Sequence, residues 1–367
     1  MAVKVTMQDI ADALGLSRNT VSKAINNTGV IADNTKELIL KKAAEMGYRN
    51  FTGSASIGEG QVQLGQGYLT AAPGRREIAM LTSFMPGGSH FAVTTLDRMQ
   101  KIFSSRGYSL AFYRVTSEEL ENRLLPGSLN TDAVAAIFCM ELFDYEYCRM
   151  LTEQGLPLLL IDSPLCIGKD PLPADVLMME NALGIHTFVR MLADRGKKTV
   201  GFIGNMFHCR SFFERASACI SAAAVCGFPP AEKYSVLDFP PKPDPGSVSS
   251  FTNDAEYLYK CLQELPELPD AFICANDFIA VNLIGCLRRM NIHCPGDILL
   301  LGFDDSPEAR YHSPSLSTVH IHTQGMGDLA AELLLSRIAS PAREPRATYS
   351  LTDLILREST GNVDRLP

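Results

Sequence analysis

The chain has 367 residues, is 46% hydrophobic and carries a formal net charge of −8. That length is too great for one small domain and predicts two or three. No apolar run approaches the ~20 residues needed to span a bilayer, and the N-terminus has no apolar signal core, so a cytoplasmic protein without a membrane partner is expected. Ten cysteines without a CxxC pair read as buried, reduced thiols rather than disulfides, with Cys139, Cys219, Cys261, Cys274 and Cys286 set in apolar patterns.

The first fifty residues hold seven Lys/Arg and five acids, a net of +2, so the remainder carries −10. Thr6-Met7-Gln8-Asp9 fits a capping box opening a helix whose apolar stripe is Ile10, Ala11 and Leu14, with Gly15 as its stop. Ser17 then caps a second short helix. Val21, Ala24 and Ile25 fall at the spacing of a buried face, and Arg18, Asn19, Ser22, Lys23 and Asn26 fill the other side without an acidic residue. Arg and Asn match guanine and adenine edges in the DNA major groove. A third helix is expected from about Asp33 to Met46, with Leu38, Ile39 and Ala43 toward the core and Gly47 ending it. Two helices around a Gly-containing turn, backed by a third, make a helix-turn-helix. A helical protein-interaction module is the plainer alternative.

The segment V-T-M-Q-D-I-A-D-A-L-G-L-S-R-N-T-V-S-K-A-I-N at 5–26, with T-K-E-L-I-L-K-K-A-A-E-M-G-Y at 35–48, resembles the headpiece of LacI/GalR-type transcriptional regulators. The resemblance implies that Arg18 and Asn19 read bases, with Ser22 and Lys23 close by. It also implies phosphate contacts from Thr6, Ser17, Thr20, Asn26 and Thr35. Ala32 stands where that family usually has a polar cap for the third helix, so Asp33 or a shifted cap is expected to take over.

Residues 51–75 change character. Gly53, Gly58, Gly60, Gly65, Gly67 and Gly74 punctuate a polar stretch with the composition of a linker. LacI-type proteins usually place a short hinge helix here that wedges a Leu into the minor groove. No Ala-Arg-x-Leu pattern follows Tyr48, which sets the family's operator-kinking step in question.

From Glu77 short apolar runs alternate with helical patterns. Strands are expected at 78–81, 109–113, 135–138, 158–161, 200–203, 271–274 and 299–303, with helices such as 91–106 and 181–195 between them. Such alternation predicts a doubly wound parallel α/β architecture, in which ligands bind beyond the carboxyl ends of strands. Those ends carry Asp162-Ser163, Gly204-Asn205, Asn276-Asp277 and Asp304-Asp305, groups suited to the vicinal hydroxyls of a sugar. Helix capping is the competing role; capping or structural roles are expected for Asp277 and Asp305, while Asn276 and Asp304 are expected to meet ligand.

P-D-A-F-I-C-A-N-D-F-I-A-V-N at 269–282, G-D-I-L-L-L-G-F-D-D at 296–305 and S-P-S-L-S-T-V at 313–319 look like the effector-binding core of the same family, itself similar to periplasmic sugar-binding proteins. L-R-E-S-T at 356–360 resembles its closing strand. The resemblance implies effector contacts from Asn276 and Asp304, from Arg215 in Glu214-Arg215, and from Phe91 in His90-Phe91. A surface arginine and a core phenylalanine are the plain alternatives for the last two.

The expected whole is an all-α helix-turn-helix headpiece (1–50), a Gly-rich linker (51–75) and a two-lobed, periplasmic-binding-protein-like α/β effector and dimerisation domain (76–367). Its N-lobe is expected at about 76–162 and 322–347 and its C-lobe at about 163–321 and 348–367, with crossovers near Asp162, Ile321 and Tyr349. The expected partners are double-stranded operator DNA, a second copy in a homodimer, and a small sugar-like effector, with a purine-like ligand as runner-up. An enzyme is not expected, since GxGxxG, GxxxxGK[ST], GxSxG and HExxH are all missing from the sequence. No cofactor is implied. The pair His320/His322 lacks a third metal ligand nearby in sequence, and His208-Cys209 is a weak nucleophile pair. A transporter's solute-binding protein would account for the body but not for the head.

Overall fold

The computed structural model describes residues 6–25, 35, 39, 42, 76–83, 90–237 and 255–361. The chain divides into two compact units, residues 1–67 and 68–367.

In the smaller unit, helix α1 (Met7–Leu14) opens on the expected capping box. The Thr6 N–H donates to Asp9 Oδ2 at 2.7 Å, and the Asp9 N–H donates to Thr6 Oγ1 at 3.3 Å, so two otherwise orphaned donors are satisfied reciprocally. Gly15 closes the helix at φ 65°, a left-handed conformation natural to glycine. Helix α2 (Arg18–Ile25) begins where the Ser17 hydroxyl accepts the Thr20 N–H at 3.0 Å. Ile10, Ala11, Val21 and Ile39 are fully buried together, a core that only a third segment behind the helix pair can complete. Thr35, Ile39 and Lys42 are helical. The rest of the expected third helix, the side chains of Lys23, Ala24 and Ile25, Asn26, Ala32 and the whole 51–75 linker lie outside the described residues.

The larger unit holds a six-stranded parallel sheet in the order β10-β5-β4-β3-β1-β2 and a three-stranded parallel sheet β6-β7-β8. Its strands are β1 (Glu77–Thr82), β2 (Ser109–Arg114), β3 (Val134–Met140), β4 (Leu158–Ile161), β5 (Asp175–Met179), β6 (Val200–Ile203), β7 (Ala271–Cys274), β8 (Leu299–Leu301), β9 (Thr318–Ile321), β10 (Ala347–Ser350) and β11 (Thr352–Ile355). The helices are α3 (His90–Ser105), α4 (Ser117–Asn122), α5 (Tyr145–Thr152), α6 (Leu183–Asp194), α7 (Arg210–Val225), α8 (Ala255–Glu264), α9 (Asp277–Arg289), α10 (Pro307–Tyr311) and α11 (Thr323–Ala339). The central strand β3 is buried along its whole length, as a parallel strand covered on both faces must be. Edge strand β2 alternates between exposed and half-buried.

Three crossovers join the lobes, and the first corrects the expected boundary. Strand β5 pairs with β4 and β10 inside the six-stranded sheet, so the chain leaves the N-lobe at 180–182 rather than near Asp162. Its sequence, Asp-Val-Leu-Met-Met, has little β-branched content and opens on a charge, which hid it. That charge is compensated: buried Asp175 accepts Arg337 Nε and Nη2 at 2.9 and 2.8 Å, tying α11 to the sheet. The second crossover follows β9, whose chain continues into α11 against α3. Gly327 permits that close approach, because a Cβ there would press on Arg98 Cβ at 2.7 Å and Thr95 O at 2.8 Å. The third crossover is Leu351, between β10 and β11.

Residues 356–360 do not form the closing strand expected of them. Strand β11 ends at Ile355, and Glu358–Thr360 is a 3₁₀ turn. Side chains replace the ladder there: the Ser359 hydroxyl donates to Leu300 O at 2.7 Å and accepts the Ser317 N–H at 2.8 Å. All ten cysteines are free thiols. No helix among the described residues is long and apolar enough to cross a membrane.

Candidate functional site

The exposed side of α2 is the first candidate. Ser17, Arg18 and Asn19 are exposed, while Thr20 and Ser22 are half-buried. The acids of α1 are both engaged within their own helix, Asp9 by Thr6 and Asp12 by Gln8 Nε2 at 2.8 Å. The α2 surface therefore offers a cation and amide groups with no acid of its own, the chemistry of base-edge reading. Thr6 and Thr35 lie on the same small unit, exposed and half-buried respectively.

The second candidate is the set of strand ends in the larger unit. Helix α7 delivers Arg215, whose relative exposure is 3%, into their midst. Arg215 Nε donates to Asn181 Oδ1 at 2.9 Å and Nη1 to the Ala275 carbonyl at 2.6 Å, just past β7. Asp304, past β8, lies 3.8 Å from Nη1, and the guanidinium stacks 3.4 Å over the Phe303 ring. Burial lowers the Arg215 pKa, while Asp304 and Asp162 oppose that shift.

Four carboxylates at strand ends sit at positive φ: Glu141 after β3 at 56°, Asp162 after β4 at 57°, and Asp304 and Asp305 after β8 at 111° and 55°. Such conformations are costly away from glycine and concentrate at ligand sites. Asp162 Oδ1 accepts the Ser163 and Ser211 N–H groups at 2.7 and 3.3 Å, yet burial still raises its pKa. Burial drives Asp304 up to about 8 against the pull of Arg215, with Asp277, Glu141 and Asp162 adding to the rise. A quarter of the Asp304 side chain remains open to solvent, which tempers that effect.

Asn276 stands beside Asp304 but also caps α9, its Oδ1 accepting the Ile279 N–H at 3.0 Å, so its amide nitrogen is the group left for a ligand. Asp277 is structural. It accepts Thr318 Oγ1 and the Ser306 N–H, both at 2.7 Å, and is raised to about 7 by burial. Gly302 is required beneath it, since a Cβ there would collide with Asp277 Oδ1. Asp305 is structural too. Burial would raise its pKa, but hydrogen bonds from Arg310 and Arg357 hold it below the usual carboxylate range.

Phe91 lies on α3, half-buried against the core cluster. A ring system that sequence reasoning missed runs toward Arg215 instead. Phe143, in the loop after β3, meets His208, in the loop after β6, edge-on at 5.1 Å, and His208 meets Phe212 of α7 at 5.1 Å. Phe143 and His208 come from different lobes, so no local motif could reveal the pair. His208 shows an exposed edge, but burial among these rings lowers its pKa. The neighbouring Cys209 thiol is pushed well up by burial, the opposite of an activated nucleophile. His320 bonds Asp305 Oδ2 at 2.9 Å and His322 pairs with Asp353 at 3.0 Å. No group of three His, Cys, Asp or Glu among the described residues is arranged to hold a metal.

The pH dependence follows from the raised Asp304. A carboxylic acid with a higher pKa folded than unfolded lowers stability as pH rises between the two values, here from about 4 to about 8. Asp304→Asn removes that penalty. Its melting temperature relative to the parent should climb from pH 5 to pH 8, by an amount on the order of 1–2 kcal/mol of stability after allowance for solvent. Calorimetry at the two pH values checks it, and an unchanged difference would mean that Asp304 is ionised throughout.

A helix-turn-helix head and a two-lobed α/β body with polar groups at its strand ends are the architecture of a DNA-binding regulator. Residues 6–50 match the model for bacterial regulatory proteins of the lacI family, and residues 189–360 match the periplasmic binding protein-like domain. The chain belongs to the lacI family of bacterial regulatory proteins and is a DNA-binding transcriptional regulator. It is similar to the HTH-type transcriptional repressor PurR of Pasteurella multocida (strain Pm70), at 24% identity over 96% of this chain and 98% of that one. In fold it is similar to the transcriptional regulator CelR in its cellobiose complex, with a TM-score of 0.65, 22% identity, and coverage of 97% of this chain and 100% of that one. It is likewise similar to the lac repressor dimer bound to operator and the anti-inducer ONPF, with a TM-score of 0.60, 17% identity, and coverage of 98% and 100%.

Proposed function

We propose that this regulator is a cytoplasmic homodimeric repressor, without enzymatic activity, whose hold on its operator depends on a polyhydroxylated sugar or sugar derivative bound between the lobes. Arg18 and Asn19 read bases, with Ser22 and Lys23 beside them, and Thr6, Ser17, Thr20, Asn26 and Thr35 bond phosphates. In the cleft Asp304 accepts vicinal hydroxyls, Arg215 donates to ring or hydroxyl oxygens, Asn276 donates through its amide nitrogen, and Phe91 borders the ligand from the N-lobe. The observation that carries this reading is the buried Arg215 held between Asn181, Ala275 O and Asp304 where the strands end. Binding between lobes biases a two-state hinge only through a difference in affinity for its two states. A purine-like ligand is the second reading, favoured by the Phe143–His208–Phe212 rings.

The test is a thermal-shift screen of the full chain against cellobiose, D-galactose, D-ribose, glucose 6-phosphate and hypoxanthine. A ligand at about 100 times its Kd adds ~2.7 kcal/mol of stability, a clear shift. The best hit should lose its shift in Asp304→Ala. An undiminished shift there would move the site elsewhere, and a response to hypoxanthine alone would select the second reading.

A further inference from the structure

A continuous hydrogen-bonded chain runs from Arg215 out to the lobe crossovers. Asn181 is 2% exposed and lies on the first crossover. Its Oδ1 accepts Arg215 Nε at 2.9 Å, while its Nδ2 donates to Glu214 Oε2 at 2.8 Å. The other oxygen, Glu214 Oε1, accepts Arg210 Nε at 2.8 Å and the Tyr349 hydroxyl at 3.0 Å, and Arg210 Nη2 donates back to that hydroxyl at 2.7 Å. Tyr349 lies on β10, one residue before Ser350, whose carbonyl accepts the Glu180 N–H at 2.8 Å. The Thr352 hydroxyl donates to the Glu180 carbonyl at 3.0 Å. The first and third crossovers are thus joined to each other, and the same chain fixes the cleft cation.

We infer that Asn181 is a positioning residue that aims the Arg215 guanidinium into the cleft and passes any displacement of it, through Glu214 and Tyr349, to the two crossovers. The inference rests on the reading of the cleft as the effector site. The chemistry favours this assignment over simple packing. A buried carboxamide used at both ends, accepting from one charged group and donating to the other, has one orientation that satisfies both. A shift of Arg215 toward a ligand therefore removes the bond that orients Asn181, and the Glu214–Arg210–Tyr349 cluster must re-form. Two discrete hydrogen-bonding arrangements are the kind of element that converts a small displacement into a hinge change.

The experiment uses amide hydrogen exchange in the full chain without any effector, so its failure is distinct from a failure of the effector screen. Exchange is read on peptides covering 174–183 and 347–356. Arg215→Lys keeps the charge but loses the Nε donor, and should speed exchange at the crossovers about tenfold, the size of one lost hydrogen bond. In an Asn181→Asp background the same change should add less than about twofold, because the relay is already broken against Glu214. The double variant Asn181→Asp/Glu214→Gln restores a donor–acceptor pair with reversed polarity and unchanged total charge. It should return exchange to within about threefold of the parent. Should Asn181→Asp fail to fold, Tyr349→Phe removes one hydroxyl from a partly exposed ring and serves in the same cycle. Equal acceleration by Arg215→Lys in both backgrounds, or none in either, would overturn the inference, as would a double variant no better than Asn181→Asp.

Discussion

Arg215→Ala is expected to abolish the response to any cleft ligand and to cost about 3–5 kcal/mol of stability, because it strips one partner from a buried, hydrogen-bonded charge cluster. The loss is not of a contact alone. Asn181 Oδ1 and the Ala275 carbonyl would each be left buried without the donor they now have, and Phe303 would lose the cation stacked on it. Asp304 and Asp162 would also lose a positive charge that offsets the effect of their burial. Since Asp304 is already pushed toward its neutral form by burial, it can protonate, and the cost should be smaller at pH 5 than at pH 8. Urea unfolding at both values measures this. A loss under ~1 kcal/mol at both would place Arg215 in solvent reach and remove it from the centre of the site.

Arg18→Ala is expected to weaken the specific operator complex by about 1–3 kcal/mol per half-site and to relax base preference at one position of each. The stability of the small unit should hardly change, since Arg18 is exposed and the core of Ile10, Ala11, Val21 and Ile39 does not include it. Selection of binding sites from a random DNA pool, with parent and variant side by side, reads both effects. Uniform weakening across all sequences, with a shallower salt dependence, would make Arg18 a phosphate contact instead.

Local rules served well where the chain's neighbours in sequence are its neighbours in space. The Thr6 capping box, the Gly15 stop and the Ser17 cap need only residues three or four apart, and each is in place. The runs forming β1, β3, β6 and β7 are apolar because parallel strands are covered on both sides, so they too were legible. Strand β5 was not, because its stabilising partner is an ion pair 162 residues away, between Asp175 and Arg337. The same limit explains the site. Asp304 and Asn276 were visible as polar groups at strand ends, although Asn276 also spends its Oδ1 on a helix cap. Arg215 gave no sign in sequence that it would be buried, because Asn181, Ala275 and Asp304 reach it from three other elements. The Phe143–His208 pair, assembled from two lobes, had no sequence signal at all.

The proposed function makes DNA reading by the smaller unit depend on ligand held at the strand ends of the larger one. The most direct measurement is operator affinity of the full chain, by titration at fixed salt, with and without the strongest probe from the thermal-shift screen. The expected change is about 5–150-fold, the usual range of an allosteric coupling of about 1–3 kcal/mol, together with a reciprocal change of the same factor in probe affinity when operator is present. In Asp304→Ala the operator affinity without probe should stay near that of the parent, and the response to probe should vanish. A probe that binds tightly in the parent yet leaves operator affinity unchanged would show that the two units are not coupled through this site.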